Sequence, residues 1–287
     1  MIPAAFSYEQ PTDLSSAVQM MGEAADDPDA VKVLAGGQSL VPLLRFRLAA
    51  PDTVVDLGNC ADLHGTQDMD EHVWIGAMTT HHDVIRDPLI AAHCGLLAQA
   101  ARTVADPAVR HRSTIGGALA HADPAGDLPA VALVLDAELV AEGPAGERVI
   151  PAGEFFVDYL TSALEPDEIL TGIRIPKWPG WSFHYEKFNR TAQAWALVGV
   201  AAATRRTDGE LDEVRVGLTN MGATPVRAMA VEAAARNIPA QRQAITEASQ
   251  EASAGTEPPS DIHAQSDYRR HLARVLTGRA INEAAGI

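Results

Sequence analysis

Two glycine pairs carry most of the chemistry this chain can offer: Ala35-Gly36-Gly37-Gln38-Ser39 and Thr114-Ile115-Gly116-Gly117. Glycine admits unusual dihedrals and close backbone approach, and successive exposed amides around such a turn make a concave site for an anion such as a pyrophosphate. Ser39 adds a hydroxyl donor. The first turn also feeds a predicted helix at Leu40, so free amides and the positive end of the helix dipole face the same place. Plain turn punctuation is the competing reading, and the residues alone leave both open. Neither G-x-G-x-x-G nor G-x-x-x-x-G-K-[ST] occurs, which excludes the commonest sequence signatures of nucleotide cradles.

Asp127, in the run Asp123-Pro124-Ala125-Gly126-Asp127-Leu128-Pro129, can accept from sugar hydroxyls or simply cap a helix through Ala130 to Leu135. His121, Asp123 and Asp127 have no helical or strand period and no second histidine at ligand spacing, so no metal is expected. His81 and His82 stand at a predicted helix start, where a solvated helix end competes with a catalytic role. Ser39 has no nearby histidine and no G-x-S-x-G elbow occurs, while Asp26 and Asp27 fall in a solvated turn; no catalytic side chain is expected.

The elements that must position these residues follow from pattern. With 287 residues, 47% of them hydrophobic, the chain exceeds the usual single-core size of about 100 to 150 residues and predicts two or three domains. Asp13 is placed to cap a helix with an apolar face of Leu14, Ala17, Val18 and Met21, ended by the acidic turn from Asp26 to Asp29. Strands are predicted over 31–34, 53–57, 73–76, 138–141, 148–150 and 169–175, with helices opened by Thr80 or Asp87 and running on to Ala101. Pro176-Lys177-Trp178-Pro179-Gly180 is the best domain boundary. Beyond it, strands over 183–188, 196–205 and 214–220 and helices over 225–236, 242–252 and 266–285 predict a small sheet covered by helices on one face.

Composition narrows the partners. A net charge of −16, from 22 basic and 38 acidic residues, repels nucleic acid and anionic membranes. The start, MIPAAFSYEQ, lacks a signal-peptide pattern, and no window reaches the roughly 20 apolar residues of a membrane span, so a cytoplasmic location without membrane insertion is expected. Cys60 and Cys94 are too few for a disulfide framework or an iron–sulfur cluster and read as buried apolar residues.

Taken in order, A-G-G-Q-S, T-I-G-G, D-P-A-G-D-L-P, I-L-T-G-I-R-I-P at 169–176 and Y-E-K at 185–187 resemble the medium, FAD-binding subunit of carbon monoxide dehydrogenase and xanthine dehydrogenase, the molybdenum hydroxylase family. The resemblance spans the whole chain. It implies an α+β fold: a vanillyl-alcohol-oxidase-type (PCMH-like) FAD domain over 1–177, with subdomains of about 1–58 and 59–177, then a small C-terminal α+β domain over 178–287. It also implies where FAD would lie. Val33, Leu34, the Ala35-Gly36-Gly37-Gln38-Ser39 turn and Leu40 would wrap the pyrophosphate, and Thr114, Ile115, Gly116 and Gly117 would hold the phosphate and ribitol region. Val104 would lie beside the isoalloxazine, Asp127 would bind the adenosine ribose, Leu170 would touch the cofactor, and Lys187 would place a cation near the flavin.

The implied work is electron transfer inside a larger assembly, a dimer of heterotrimers. A large subunit would hold molybdopterin, a small subunit the iron–sulfur clusters, and this FAD would pass electrons to an external acceptor. The chain departs from the family pattern in two places: Ala118 stands where asparagine usually follows T-I-G-G, and Gln193-Ala194 replaces a frequent Gly-Asp before Trp195. The lost side chains remove possible hydrogen bonds, and Trp195 is either a shield over one flavin face or a core residue. Two rival functions remain: a self-contained flavoprotein oxidoreductase of the same fold, and a flavin-free scaffold subunit.

Overall fold

The computed structural model describes residues 2–22, 27 and 29–287; the expected contribution of Asp26 to the end of the first helix lies outside them. The first unit is a small parallel sheet. Strand β1 (Ser7–Glu9), helix α1 (Leu14–Gly22), β2 (Val31–Leu34), α2 (Leu40–Phe46) and β3 (Thr53–Asp56) follow in order, and β3 pairs between the other two strands. Asp13 caps α1 as expected, its Oδ1 accepting from the Ser16 amide at 2.8 Å. The predicted apolar face then buries Ala17, Val18 and Met21 against Val55, Leu57 and Cys60.

The second unit is antiparallel. Strands β4 (Thr66–Asp68) and β5 (His72–Gly76) lead into six helices: α3 (His81–Arg86), α4 (Pro88–His93), α5 (Gly95–Thr103), α6 (Pro107–Arg110), α7 (Ile115–Ala120) and α8 (Asp127–Val134). Strands β6 (Glu138–Gly143) and β7 (Gly146–Pro151), helix α9 (Ala152–Phe155), the hairpin β8 (Phe156–Asp158) and β9 (Thr161–Ser162), and β10 (Ile169–Pro176) complete it. The sheet order is β4-β5-β10-β6-β7, so the late strand β10 closes the middle. Thr80 and Asp87 both cap helices, accepting from Asp83 at 3.2 Å and from Leu89 at 2.8 Å. The expected run to Ala101 breaks at Cys94, whose dihedrals are not helical. The T-I-G-G turn is in fact the first turn of α7, capped by Thr114, whose Oγ1 accepts from Gly117 at 3.1 Å.

The third unit is a sheet of β11 (Trp181–Phe188), β12 (Val198–Thr207), β13 (Glu210–Thr219) and β14 (Val226–Arg227), followed in sequence by α10 (Met229–Ala234), β15 (Ile238–Pro239), which pairs with β13, α11 (Arg242–Ala248) and α12 (Ser266–Ala285). The short β14 replaces the start of the helix expected over 225–236. Side chains alternate along β12: Val198, Val200 and Ala202 join the core beneath α12, whereas Ala201 and Ala203 join the core of the preceding unit. Alternation of period two with both faces apolar means both faces are covered. One cover is α12, as expected; the other is α8 and α5 of the second unit, which the sequence pattern does not reveal. Cys60 and Cys94 are free and buried. Among the described residues no helix is long and apolar enough to cross a membrane.

Candidate functional site

The two glycine segments meet. Gly36 sits so close to the chain before α7 that a Cβ there would stand 2.0 Å from the Arg112 carbonyl oxygen. Gly37 has φ of +74°, in the left-handed region where a side chain is strained. A Cβ on Gly117 would lie 3.2 Å from the Ala35 Cβ, so the second segment faces the first at backbone range. Ser39 precedes α2 without capping it through its side chain.

Between the segments opens a cavity of about 600 Å³. Its wall includes Val33, Ala35, Gly36, Gly37, Gln38, Ser39 and Leu40 from the first unit, Val104, Thr114, Gly117 and Asp127 from the second, and Lys187 and Trp195 from the third. Four residues expected at the cofactor stand outside that wall. Leu34 is one of them, at the end of its strand. Ile115 is 1% exposed within the core, and Gly116 is seated on Ala77, where a Cβ would meet the alanine Cβ at 2.4 Å. Leu170 packs inside the second sheet's core. In α7, therefore, the glycine nearer the sheet serves packing and the one farther away faces the cavity.

Asp127 is the first residue of α8, after an N-cap at Gly126 that makes no side-chain cap, so the capping reading fails. Its carboxylate instead accepts from Lys187 Nζ at 2.7 Å and from the Tyr185 hydroxyl at 2.8 Å. Burial pushes the Asp127 carboxyl up, opposed by the charge of Lys187 and the hydrogen bonds from Lys187 and Tyr185. Burial, with Asp127 beside it, holds the Tyr185 hydroxyl well above the ordinary phenol range. Lys187 also donates to the Thr103 carbonyl at 3.1 Å, and Gln99 of α5 bonds to the backbone of Phe183 and Tyr185. The Asp127 carboxylate and the Thr103 carbonyl thus fix a buried cation at the cavity wall.

The adjacent histidines separate. His82 stacks on His111 with ring centroids 3.8 Å apart. His81 is 2% exposed and lines the cavity, and burial holds its imidazole down at about 4. A solvated helix end does not describe His81, whereas His82 stays partly exposed at the start of α3.

The departures from the family pattern have different consequences. Ala118 lines the cavity and leaves that stretch of wall apolar. Gln193, by contrast, restores a contact: its Nε2 donates to Asp106 Oδ2 at 3.0 Å, tying the loop after β11 to the start of α6. Trp195 is 59% exposed, which rules out a core role. It stands between this cavity and a second of about 840 Å³ lined by Tyr159, Arg190, Asn220 and His263.

Sequence reasoning missed Lys32, Ala105, Ser113 and Leu160 in the wall. Ser113 directly precedes T-I-G-G, so a wider motif window would have found it. Ala105 and Leu160 adopt φ of +41° and +52°, conformations that neither residue type announces. His121 and Asp123 also line the cavity, but the Asp123 carboxylate accepts from the Ala125 amide at 2.8 Å, and among the described residues no group of three His, Cys, Asp or Glu is arranged to hold a metal.

Comparison with known proteins agrees with this architecture. Residues 4–178 match the family model for the FAD binding domain in molybdopterin dehydrogenase, and residues 183–284 match the CO dehydrogenase flavoprotein C-terminal domain. The chain is 36% identical to the carbon monoxide dehydrogenase medium chain of Hydrogenophaga pseudoflava, over 99% of this chain and 98% of that one. It is 32% identical to the glyceraldehyde dehydrogenase medium chain of Sulfolobus acidocaldarius, over 99% and 100%. The solved carbon monoxide dehydrogenase from Hydrogenophaga pseudoflava, in a form lacking the Mo-pyranopterin moiety, superposes with a TM-score of 0.95 at 38% identity, covering 100% of this chain and 99% of that one. Quinoline 2-oxidoreductase from Pseudomonas putida 86 gives a TM-score of 0.94 at 34% identity, with 100% and 99% covered.

Proposed function

Because the chain belongs to the family of FAD-binding medium subunits of molybdenum hydroxylases, we propose that it is the electron-transfer subunit of such an enzyme, assembled in the cytoplasm with a large molybdopterin subunit and a small iron–sulfur subunit as a dimer of heterotrimers. Held in the cavity by the glycine segments, FAD would supply a two-electron carrier between the small subunit's clusters and an external acceptor. Residues 1–177 would form the FAD domain and 178–287 the C-terminal domain.

The observation that carries this reading is the meeting of two glycine segments over one cavity, with every unit of the chain contributing to its wall. The residues present fit FAD on three grounds. Gly36, Gly37 and Gly117 bring bare backbone to the wall, Gly37 at a φ of +74° that favours glycine; apolar Val104 and Ala105 continue the same wall; and a buried lysine stands at it with a fixed counter-ion. Gly36, Gly37 and Gly117 let backbone amides approach the phosphates. Ser39 offers a hydroxyl, and Lys187 adds a buried positive charge to the cavity wall. Asp127, already bonded to Lys187 and Tyr185, would reach a ribose hydroxyl only through its remaining lone pairs.

The test is the native complex and the isolated full chain side by side. One FAD per chain, reduced by the complex's substrate only when both partner subunits are present, is the expected result. A native complex without flavin would instead make the chain a scaffold, and reduction of the isolated chain by substrate would make it a self-contained oxidoreductase.

A further inference from the structure

Helix α2 is apolar on every side. Leu40, Val41, Pro42, Leu43, Leu44 and Phe46 make up all of it but Arg45, yet only Leu44 is buried. With about 3.6 residues per turn, Pro42 and Phe46 lie opposite Leu44, and Val41 and Arg45 lie beside them. A surface helix carries polar residues on that outer face, and a helix apolar all round is a buried one. FAD in the cavity would cover Leu40 and Leu43, which line it, but Val41, Phe46 and Leu48 stand outside its wall and are 41%, 63% and 76% exposed. Among the described residues no other helix or strand packs broadly on α2. Exposed apolar surface of this kind marks an interaction site.

Charge narrows what covers it. The chain has 38 acidic residues, but none falls between Ala35 and Pro51, where Arg45 and Arg47 alternate with Phe46 and Leu48. Both arginines are exposed, and among the described residues neither is in an ion pair. Arg47 Nε donates to the Ile2 carbonyl at 3.3 Å, which brings the exposed Ile2 to the same surface. Across Gly36, whose backbone abuts the Arg112 carbonyl, the exposed Arg112 adds a third cation. An acidic partner is repelled by a chain of net charge −16 and finds here a face of opposite sign, which fixes where it seats. A second copy of the chain would bring the same arginines together across a two-fold axis, like charge on like. Position completes the choice. Helix α2 follows Ser39 and forms part of the cavity wall, so whatever covers it stands beside the cofactor, where the subunit that delivers electrons has to be. On the functional reading above, on which this inference rests, we propose that the outer face of α2, with Leu48 and Ile2, docks the small iron–sulfur subunit through an apolar pocket rimmed by acidic side chains.

Titration of the FAD-loaded full chain with the small subunit and with the large subunit, each separated from the native complex, tests this. Phe46→Ala is expected to weaken binding of the small subunit at least about thirtyfold, the loss typical of a residue at the centre of an interface. Arg45→Glu is expected to weaken it about tenfold, mainly through slower association. Both variants should keep the FAD content and melting temperature of the isolated chain, and at limiting small subunit their flavin should be reduced more slowly by the complex's substrate while dithionite reduces it as before. Unchanged affinity of Phe46→Ala for the small subunit would overturn the proposal; if that variant melts early, Arg45→Glu decides by the same measure. Weakened binding of the large subunit alone would give the face to that partner, and a wild-type dimer dissolved by Phe46→Ala would give it to a second copy, and either result overturns the proposal. These outcomes leave the functional reading standing. A wild-type chain that holds no FAD, or that holds it and binds neither subunit, would sink that reading itself.

Discussion

The two ends of the cavity are built from different materials. At the glycine end the wall is mostly backbone: Gly36 fits because nothing projects from it toward Arg112, and Gly37 because its φ is positive. At the other end the wall is side chain against side chain, with Lys187 and Asp127 ion-paired at 2.7 Å and 6% and 3% exposed, and Tyr185 completing the carboxylate. Backbone cradles depend on the space around them and tolerate changes in neighbouring side chains. A buried charge depends on a specific partner, since removing one member strands the other in a medium that cannot solvate it. The first end should fail by losing ligand and the second by losing stability.

The largest expected effect lies in the buried pair. Lys187→Ala leaves the Asp127 carboxyl buried with only Tyr185 as donor, and should destabilise the chain by about 3–5 kcal/mol in denaturant melts. Asp127→Asn keeps the shape, leaves the cation, and should cost less. The double variant Lys187→Met, Asp127→Leu should recover most of the loss, because neither partner remains stranded. A double variant as unstable as the sum of the two single changes would mean that the pair acts through packing and not through charge.

The difference in material also explains what the sequence makes legible. Glycine motifs advertise backbone geometry, so the segments at Ala35–Ser39 and Thr114–Gly117 point to the cavity before any coordinates are known, and the strands at 31–34 and 169–176 follow from β-branched runs bounded by turns. The pairing of Asp127 with Lys187 spans 60 residues and two units, and no local pattern encodes it. Asp127 as a cap and His81 as a solvated helix end are sound local expectations overridden by tertiary contacts. The second cover on β12 was hidden for the same reason, since Ala201 and Ala203 signal burial without saying what buries them. Leu170, which the resemblance places at the cofactor, is 5% exposed and packs in the core of the second sheet.

A smaller effect separates the side-chain end from the backbone end through pH. His81 titrates near 6.5 when unfolded and is held at about 4 in the folded chain by burial. Between those values the unfolded chain binds the extra proton, so stability is full above about pH 6.5 and falls as pH is lowered towards 4. By pH 4 the loss from this group amounts to roughly 3 kcal/mol. His81→Leu should flatten that part of the acid-denaturation curve. An identical pH dependence in wild type and variant would show that His81 gains solvent or a partner as pH falls.

The smallest expected effect sharpens the comparison from the glycine end. Gly37→Ala adds one methyl at φ +74°, with Val41 Cγ2 at 3.1 Å and Leu34 Cδ1 at 3.3 Å. Leu34 can give by rotating its side chain, whereas Val41 is β-branched and stiff in its helix, so a small crowding cost adds to the dihedral, which dominates at about 1–2 kcal/mol. The chain should therefore still fold, with a modest drop in melting temperature. Its FAD content is expected to fall further than that drop implies, because relief of the strained dihedral turns the Gly37 amide away from the anion it helps to hold. Measuring FAD per chain beside the apo melting temperature separates the two effects. A Gly37→Ala protein that loses stability yet retains full FAD would show that the first glycine segment shapes the loop without contacting the phosphates, and the burden of binding would pass to Gly117 and the side-chain end.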